Sequence, residues 1–202
     1  MIKNIIFDMG GVIVDFIWRE HFENMGLSGE IVERVADATV RNINWNEFDR
    51  GVMDVYDVID LFVKDYPELE KEIRLVLNPK DFPKMIRKYP YTDELIDALK
   101  ERGYNIYILS NFPDYTYNNS PHALDFIEKT DGQIISYQYQ VIKPDEAIYE
   151  MLLSEYNLNA GECLFIDDKE ENVEGAANCG IMSVRFTGLE DLLHTFRSME
   201  IL

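Results

Sequence analysis

Four short polar groups in the chain carry residue types that could do chemistry together: Asp8-Met9-Gly10-Gly11, Ser110-Asn111, Lys143-Pro144 and Asp167-Asp168. Each alone has a plainer reading. The first is a strand-ending turn and the second a turn dipeptide. The third is an extended lead into a helix with Pro at its first position, and the fourth caps a helix beginning near Glu170. Their shared placement carries more weight, because each ends a predicted strand or precedes a predicted helix. In open α/β sheets, ligands bind outside the carboxyl ends of the strands, where residues distant in sequence converge.

The chemistry follows from the residue types. A carboxylate can attack phosphorus and form an acyl-phosphate, which divides one difficult hydrolysis into two easier steps. Clustered carboxylates repel one another unless a hard cation lies between them, and oxygen-only ligands suit Mg²⁺. Such a cation brings an anionic phosphate up to Asp8 and offsets charge in the transition state. Lys143 supplies a point charge to the transferring oxygens and to Asp8. The Ser110 hydroxyl and the Asn111 backbone N–H can donate to the phosphate, and the glycines let the backbone approach it closely.

Elements that could position these groups are legible in the apolar pattern. Asn4 to Phe7, Asn105 to Leu109, Cys163 to Ile166 and Ile181 to Val184 are continuous apolar runs of the kind buried parallel strands give. Gln133 to Ser136 is a weaker strand candidate. Helical stripes separate them. Leu95, Ala98 and Leu99 lie between Thr92 as N-cap and Gly103 as stop; Ile148, Met151, Leu152 and Tyr156 form a second stripe, and Leu189, Leu192, Leu193 and Phe196 a third. The alternation predicts an α/β fold with an open sheet. Residues 16–90 break the rhythm. They hold no convincing strand, their periodicity is helical at Val52, Val55, Ile59, Phe62 and Val63, and they predict a helical insertion after the first strand.

Composition bounds the remaining possibilities. The 202 residues are 47% hydrophobic and 28% charged, which is ordinary globular usage. A formal net charge of −19 repels nucleic-acid phosphates and anionic lipid, so neither is an expected partner. Any phosphate site must therefore import positive charge locally. Cys163 and Cys179 suggest no disulfide framework, and no apolar run approaches a membrane span or signal peptide, so a cytoplasmic protein is expected. The sequence does not specify an oligomeric state.

The stretches IIFDMGGVIVD, YILSN, VIKPDEAIYE and CLFIDDKEENVEGA occur in the order typical of the haloacid dehalogenase-like (HAD) superfamily, which the chain resembles over nearly its whole length. That resemblance implies a three-layer Rossmannoid core with a parallel sheet, formed by residues 1–15 and 91–202, and an α-helical cap formed by residues 16–90. It implies Asp8 as nucleophile and metal ligand, the Gly10 carbonyl as a second ligand, and Asp168, with Asp167, as the acidic pair holding Mg²⁺. Ser110, Asn111 and Lys143 would hold the phosphate of a small phosphorylated metabolite, with Asp8 and Lys143 as the catalytic pair.

One position departs from the family. The aspartate that usually follows the nucleophile by two residues, and protonates the leaving group, is Gly10 here. Positioned acid catalysis is worth about 10²- to 10⁴-fold. The motif, with the stretch from Trp45 to Gly51, resembles a bacterial branch that includes α-D-glucose-1-phosphate phosphatases. An anomeric phosphate has a comparatively acidic leaving oxygen, so Gly10 is expected to bias the enzyme toward such substrates. His21, Glu47 and Asp49 are candidate proton donors from the cap, and Asp15 is either a polar partner in the site or a hinge acid. Tyr115 and Tyr117 either line the pocket or pack locally; Trp18, Trp45 and Phe48 either wall it or fill the cap interior. Two competing functions are a metal-free 2-haloacid dehalogenase, which would lack the acidic pair, and a catalytically silent binding protein of the same fold.

Overall fold

The computed structural model describes residues 1–202. Five parallel strands form the central sheet: β1 (Asn4–Phe7), β4 (Asn105–Ser110), β5 (Gly132–Ile135), β6 (Cys163–Asp167) and β7 (Met182–Arg185), in the order β5-β4-β1-β6-β7. These are the four apolar runs and the weaker candidate expected from the sequence, shifted at their ends by a residue or so. The runs are continuously apolar because both faces of the sheet are covered. On β1, Ile5 and Phe7 join a cluster with Leu95, Leu99 and Phe196, whereas Ile6 points the other way toward Ile148, Tyr149 and Leu152. β4 and β6 divide in the same alternating fashion, as strand geometry requires.

The helices Thr92–Glu101 and Leu189–Ser198 cover one face, and Glu146–Glu155 and Glu170–Asn178 the other. Thr92 does not cap its helix as expected. It is the first helical residue, after Tyr91, and its hydroxyl instead donates to the Ile13 carbonyl at 2.7 Å. The side chain is thus used to tie the helix to the segment leaving β1. Pro144 likewise precedes its helix rather than opening it, since that helix begins at Glu146.

Between β1 and this layer lies a separate apolar cluster of 16 buried residues running from Phe22 to Met85. Its helices include Glu30–Ala38, Trp45–Arg50, Val55–Asp65 and Glu70–Val76. Val52, expected on the stripe, is exposed and precedes its helix, which Asp54 caps by accepting from the Tyr56 N–H at 2.9 Å. The expectation of no strand in this segment needs correction. β2 (Val14–Phe16) and β3 (Ile86–Lys88) pair antiparallel where the chain leaves and re-enters the sheet domain. At three residues each, these strands are too short to show an alternating pattern. No helix is long and apolar enough to cross a membrane.

Candidate active site

The β-ladder delivers the first carboxylate. β1 ends at Phe7, and the next N–H, that of Asp8, still donates to the Ile166 carbonyl of β6 at 2.9 Å. Asp8 therefore emerges at the carboxyl edge of the central strand, flanked by Ser110 at the end of β4 and Asp167 at the end of β6. The Ser110 hydroxyl donates to Asp8 Oδ1 at 2.6 Å. Lys143 comes from a loop, and its ammonium group donates to Asp167 Oδ2 at 2.6 Å and the Leu109 carbonyl at 2.9 Å and pairs with Asp8 Oδ1 at 2.9 Å.

Asn111 explains how that loop reaches the site. Its amide nitrogen donates to the Lys143 carbonyl at 3.0 Å, and its amide oxygen accepts from the Lys143 N–H at 2.8 Å. The side chain positions the lysine. The Asn111 backbone N–H, like that of Gly10, donates to no protein acceptor.

Asp167 and Asp168 are adjacent in sequence and unlike in surroundings. Asp167 is fully buried, and both its oxygens are engaged. Oδ2 accepts from Lys143, Oδ1 accepts from the Lys169 N–H at 2.9 Å, and the Asn172 amide reaches both oxygens at 3.0 and 3.1 Å. Asp168 is half-buried, and its carboxylate has neither a hydrogen bond nor an ion pair to any other residue. Gly11 is needed beside it. At φ 76° it holds a left-handed conformation, and a Cβ there would lie 2.8 Å from Asp168 Oδ2.

The electrostatics explain what such a site accepts. Burial pushes the Asp8 carboxyl up to about 6, and repulsion from Asp167 adds to this against the opposing pull of Lys143 and Ser110. Burial, then Asp167, also raises Asp168. Burial alone would lower Lys143, but Asp8 and Asp167 outweigh it and hold the ammonium above its ordinary range. Three carboxylates thus face one cation, and oxygens of Asp8, Asp167 and Asp168 lie within 4.8 Å of one another. An oxygen-only donor set with excess negative charge fits a hard divalent cation such as Mg²⁺.

The cluster forms the floor of a cavity of about 390 Å³. Asp8, Gly10, Gly11, Asn111, Lys143 and Asp168 line it from the sheet side, while Trp18, Trp45, Phe82 and Met85 line it from the helical segment. Asp15 lines it too, paired with Arg87 at 3.1 Å across the β2–β3 ribbon, so it serves the hinge and borders the site. Phe48 packs in the helical segment's own core, and Tyr115 and Tyr117 do not line the cavity. Among the candidate donors, His21 is buried against the Val76 carbonyl at 3.2 Å and Glu47 faces Arg50, both off the cavity; Asp49 lines it. Two functional contributors were missed from sequence. Asn172 locks Asp167, and Ser136 bridges the two layers by accepting from the Phe112 N–H at 2.9 Å and donating to the Asp49 carbonyl at 2.5 Å. Asn172 falls within the CLFIDDKEENVEGA stretch and Ser136 ends a strand candidate, but their partners come from contacts that only the fold reveals.

Comparison with known proteins agrees with this geometry. The family model for haloacid dehalogenase-like hydrolases matches residues 2–180. A sesquiterpene phosphatase of Aspergillus oryzae is 26% identical over 190 residues, covering 92% of this chain and 90% of its own. An (S)-2-haloacid dehalogenase of Burkholderia cepacia is 28% identical over 102 residues, covering 50% of this chain and 44% of its own. Among solved structures, a HAD-family enzyme of Bacteroides thetaiotaomicron in complex with magnesium and inorganic phosphate superposes with a TM-score of 0.73 over 97% of this chain and 100% of that one; at 20% identity this likeness speaks to the fold. With the parallel sheet, the strand-end cluster and the helical segment all in place, the chain belongs to the haloacid dehalogenase-like hydrolase family.

Proposed function

We propose that this hydrolase is a Mg²⁺-dependent phosphatase that transfers the phosphoryl group of a small phosphorylated metabolite to Asp8 and then to water. The observation that carries the reading is the unpartnered carboxylate of Asp168 beside Asp8, in a cluster with more negative charge than Lys143 can offset. A metal-free dehalogenase has no use for that extra acid. A silent binding protein has no reason to keep it together with a buried, ion-paired lysine.

Asp8, Asp168 and the Gly10 carbonyl, which accepts no hydrogen bond, would hold the ion. When bound, Mg²⁺ supplies positive charge between the nucleophile and the phosphate. Asp167 serves as an anchor, because its oxygens are already committed to Lys143, Lys169 and Asn172. Lys143 keeps Asp8 ionised and aimed, and Ser110 fixes its Oδ1 so that Oδ2 is the attacking oxygen. The free N–H groups of Gly10 and Asn111 are donors for the phosphate oxygens. Residues 16–90 act as the cap that encloses the organic part of the substrate between Trp18, Trp45 and Phe82. Sugar 1-phosphates suit the missing acid at position 10, although the A. oryzae relative is named for a different phosphate ester.

A phosphate-release screen over sugar phosphates, isoprenoid phosphates and nucleotides tests this. Release is expected with Mg²⁺, loss with EDTA, and a fall of at least about 10⁴-fold in Asp8→Asn, the order seen when a covalent nucleophile is removed. Release that survives Asp8→Asn refutes the mechanism. Chloride release from a 2-haloacid that is indifferent to EDTA favours the dehalogenase.

A further inference from the structure

The usual proton donor is absent at position 10, yet the same cavity contains a carboxyl with no other evident task. Helix Trp45–Arg50 turns Trp45 and Asp49, one helical turn apart, toward the cavity, while Phe48 points into the helical core. Asp49 is 93% buried, and its carboxyl makes no hydrogen bond or ion pair. Its oxygens are not sealed from solvent but face the cavity, where a substrate would meet them. Nothing in the core of the cap needs it.

Two contacts hold Asp49 in this place independently of its own side chain. The Ser136 hydroxyl donates to the Asp49 carbonyl at 2.5 Å, which fixes the helix end to the sheet layer. Gly51, at φ 69°, allows an approach so close that a Cβ there would lie 2.7 Å from Tyr137 Cβ. At Gly10, by contrast, no atom lies within 4 Å of where a Cβ would be, so the space left by the missing aspartate opens directly into the cavity that Asp49 borders.

We propose that Asp49 is the general acid and base of the reaction, delivered from the cap in place of the aspartate missing at position 10. This rests on the phosphatase reading above. In the first step Asp8 Oδ2 bonds to phosphorus, the bond to the ester oxygen breaks, and that oxygen takes the proton of the Asp49 carboxyl. In the second, water bonds to phosphorus and gives its proton to the Asp49 carboxylate while the bond to Asp8 breaks. Both carboxyl groups return to their starting states. Burial holds the Asp49 carboxyl up to about 7, against the pull of Lys169 and Lys143 and with the help of Asp8, so it is protonated in a useful fraction at neutral pH.

The test uses Asp49→Asn with Mg²⁺ on two esters, p-nitrophenyl phosphate, whose leaving group needs no proton, and the best alkyl phosphate from the screen. With the alkyl ester, kcat is expected to fall by about 10²- to 10⁴-fold. With p-nitrophenyl phosphate, the variant should release a burst of about one nitrophenolate per enzyme and then slow, because only the second step has lost its base. Calorimetry should find Mg²⁺ affinity unchanged. Wild-type turnover of the alkyl ester by the variant overturns the proposal, as does a loss of the first step that is equal for both esters, or a loss of Mg²⁺ binding. Absence of phosphate release by the wild-type protein from every ester would instead sink the phosphatase reading itself, and the role of Asp49 with it.

Discussion

At the strand ends, Asp167 is buried under hydrogen bonds from Lys143, Lys169 and Asn172, whereas at the cap edge the Asp49 carboxyl has no protein partner and faces the cavity. Asp49 lines the cavity whose floor is the cluster to which Asp167 belongs. The first region resembles a finished ionic lattice, in which Lys143 pairs with both Asp8 and Asp167 and rigid strands set the spacing. The second is a single acid held by backbone contacts to a neighbouring layer. A group that must stay charged and fixed is built into the sheet, while a group that must gain and lose a proton is left unpaired. The difference has a physical cause: hydrogen bonds and a charge partner fix a carboxylate in place, whereas a carboxyl without them is free to meet a substrate.

The comparison is most directly broken at Lys143. Lys143→Met removes the one cation between Asp8 and Asp167 and leaves both carboxylates buried with hydrogen bonds but no charge partner. Urea denaturation in EDTA should show a loss of about 3–5 kcal/mol, with activity abolished. A variant as stable as wild type would mean that the lattice does not depend on its lysine.

Asp49 should behave in the opposite sense. Its folded carboxyl lies at about 7 against an ordinary value of 3.8, so between these limits the folded state binds more protons than the unfolded one. The unfolding free energy contributed by this group therefore falls as pH rises from about 4 through about 7. In EDTA, wild-type protein should lose stability from pH 5 to pH 8 by more than Asp49→Asn does. The variant should be the more stable of the two at pH 8, by on the order of a few kcal/mol. Equal pH slopes in the two proteins would show that Asp49 is not held protonated.

The smallest expected effect sharpens the boundary between the regions. Gly51→Ala adds a Cβ against Tyr137 at a left-handed φ, which should cost about 1–3 kcal/mol and push the cap edge away from Ser136. Thermal denaturation should report the loss, and the rate of the first step should fall further with the alkyl ester than with p-nitrophenyl phosphate, whose leaving group needs no proton. An equal fall on both would mean that the cap edge positions substrate rather than acid.

Much of the strand-end region was legible in the sequence. Buried parallel strands leave continuous apolar runs, and the polar residue that ends each run must lie at the sheet's carboxyl edge, so Asp8, Ser110, Asn111 and Asp167-Asp168 could be placed there from pattern alone. Lys143 was legible only through its motif, because a loop residue has no periodicity to locate it. The β2–β3 ribbon escaped because three-residue strands have too few positions to alternate. The side-chain work of Asn111 in holding Lys143 was equally hidden, since the two residues meet only through loop geometry.

The sequence by itself thus determined the α/β class, the order of the strand-end groups and the gap at Gly10, all properties of local pattern and residue type. Only the tertiary structure distinguished Asp168, which has no partner, from Asp167, which has its full complement, and singled out Asp49 from His21 and Glu47. Which acid is free, and which faces the cavity, depends on neighbours brought from other elements. A carboxyl's availability is a property of its surroundings, and those exist only once the chain has folded.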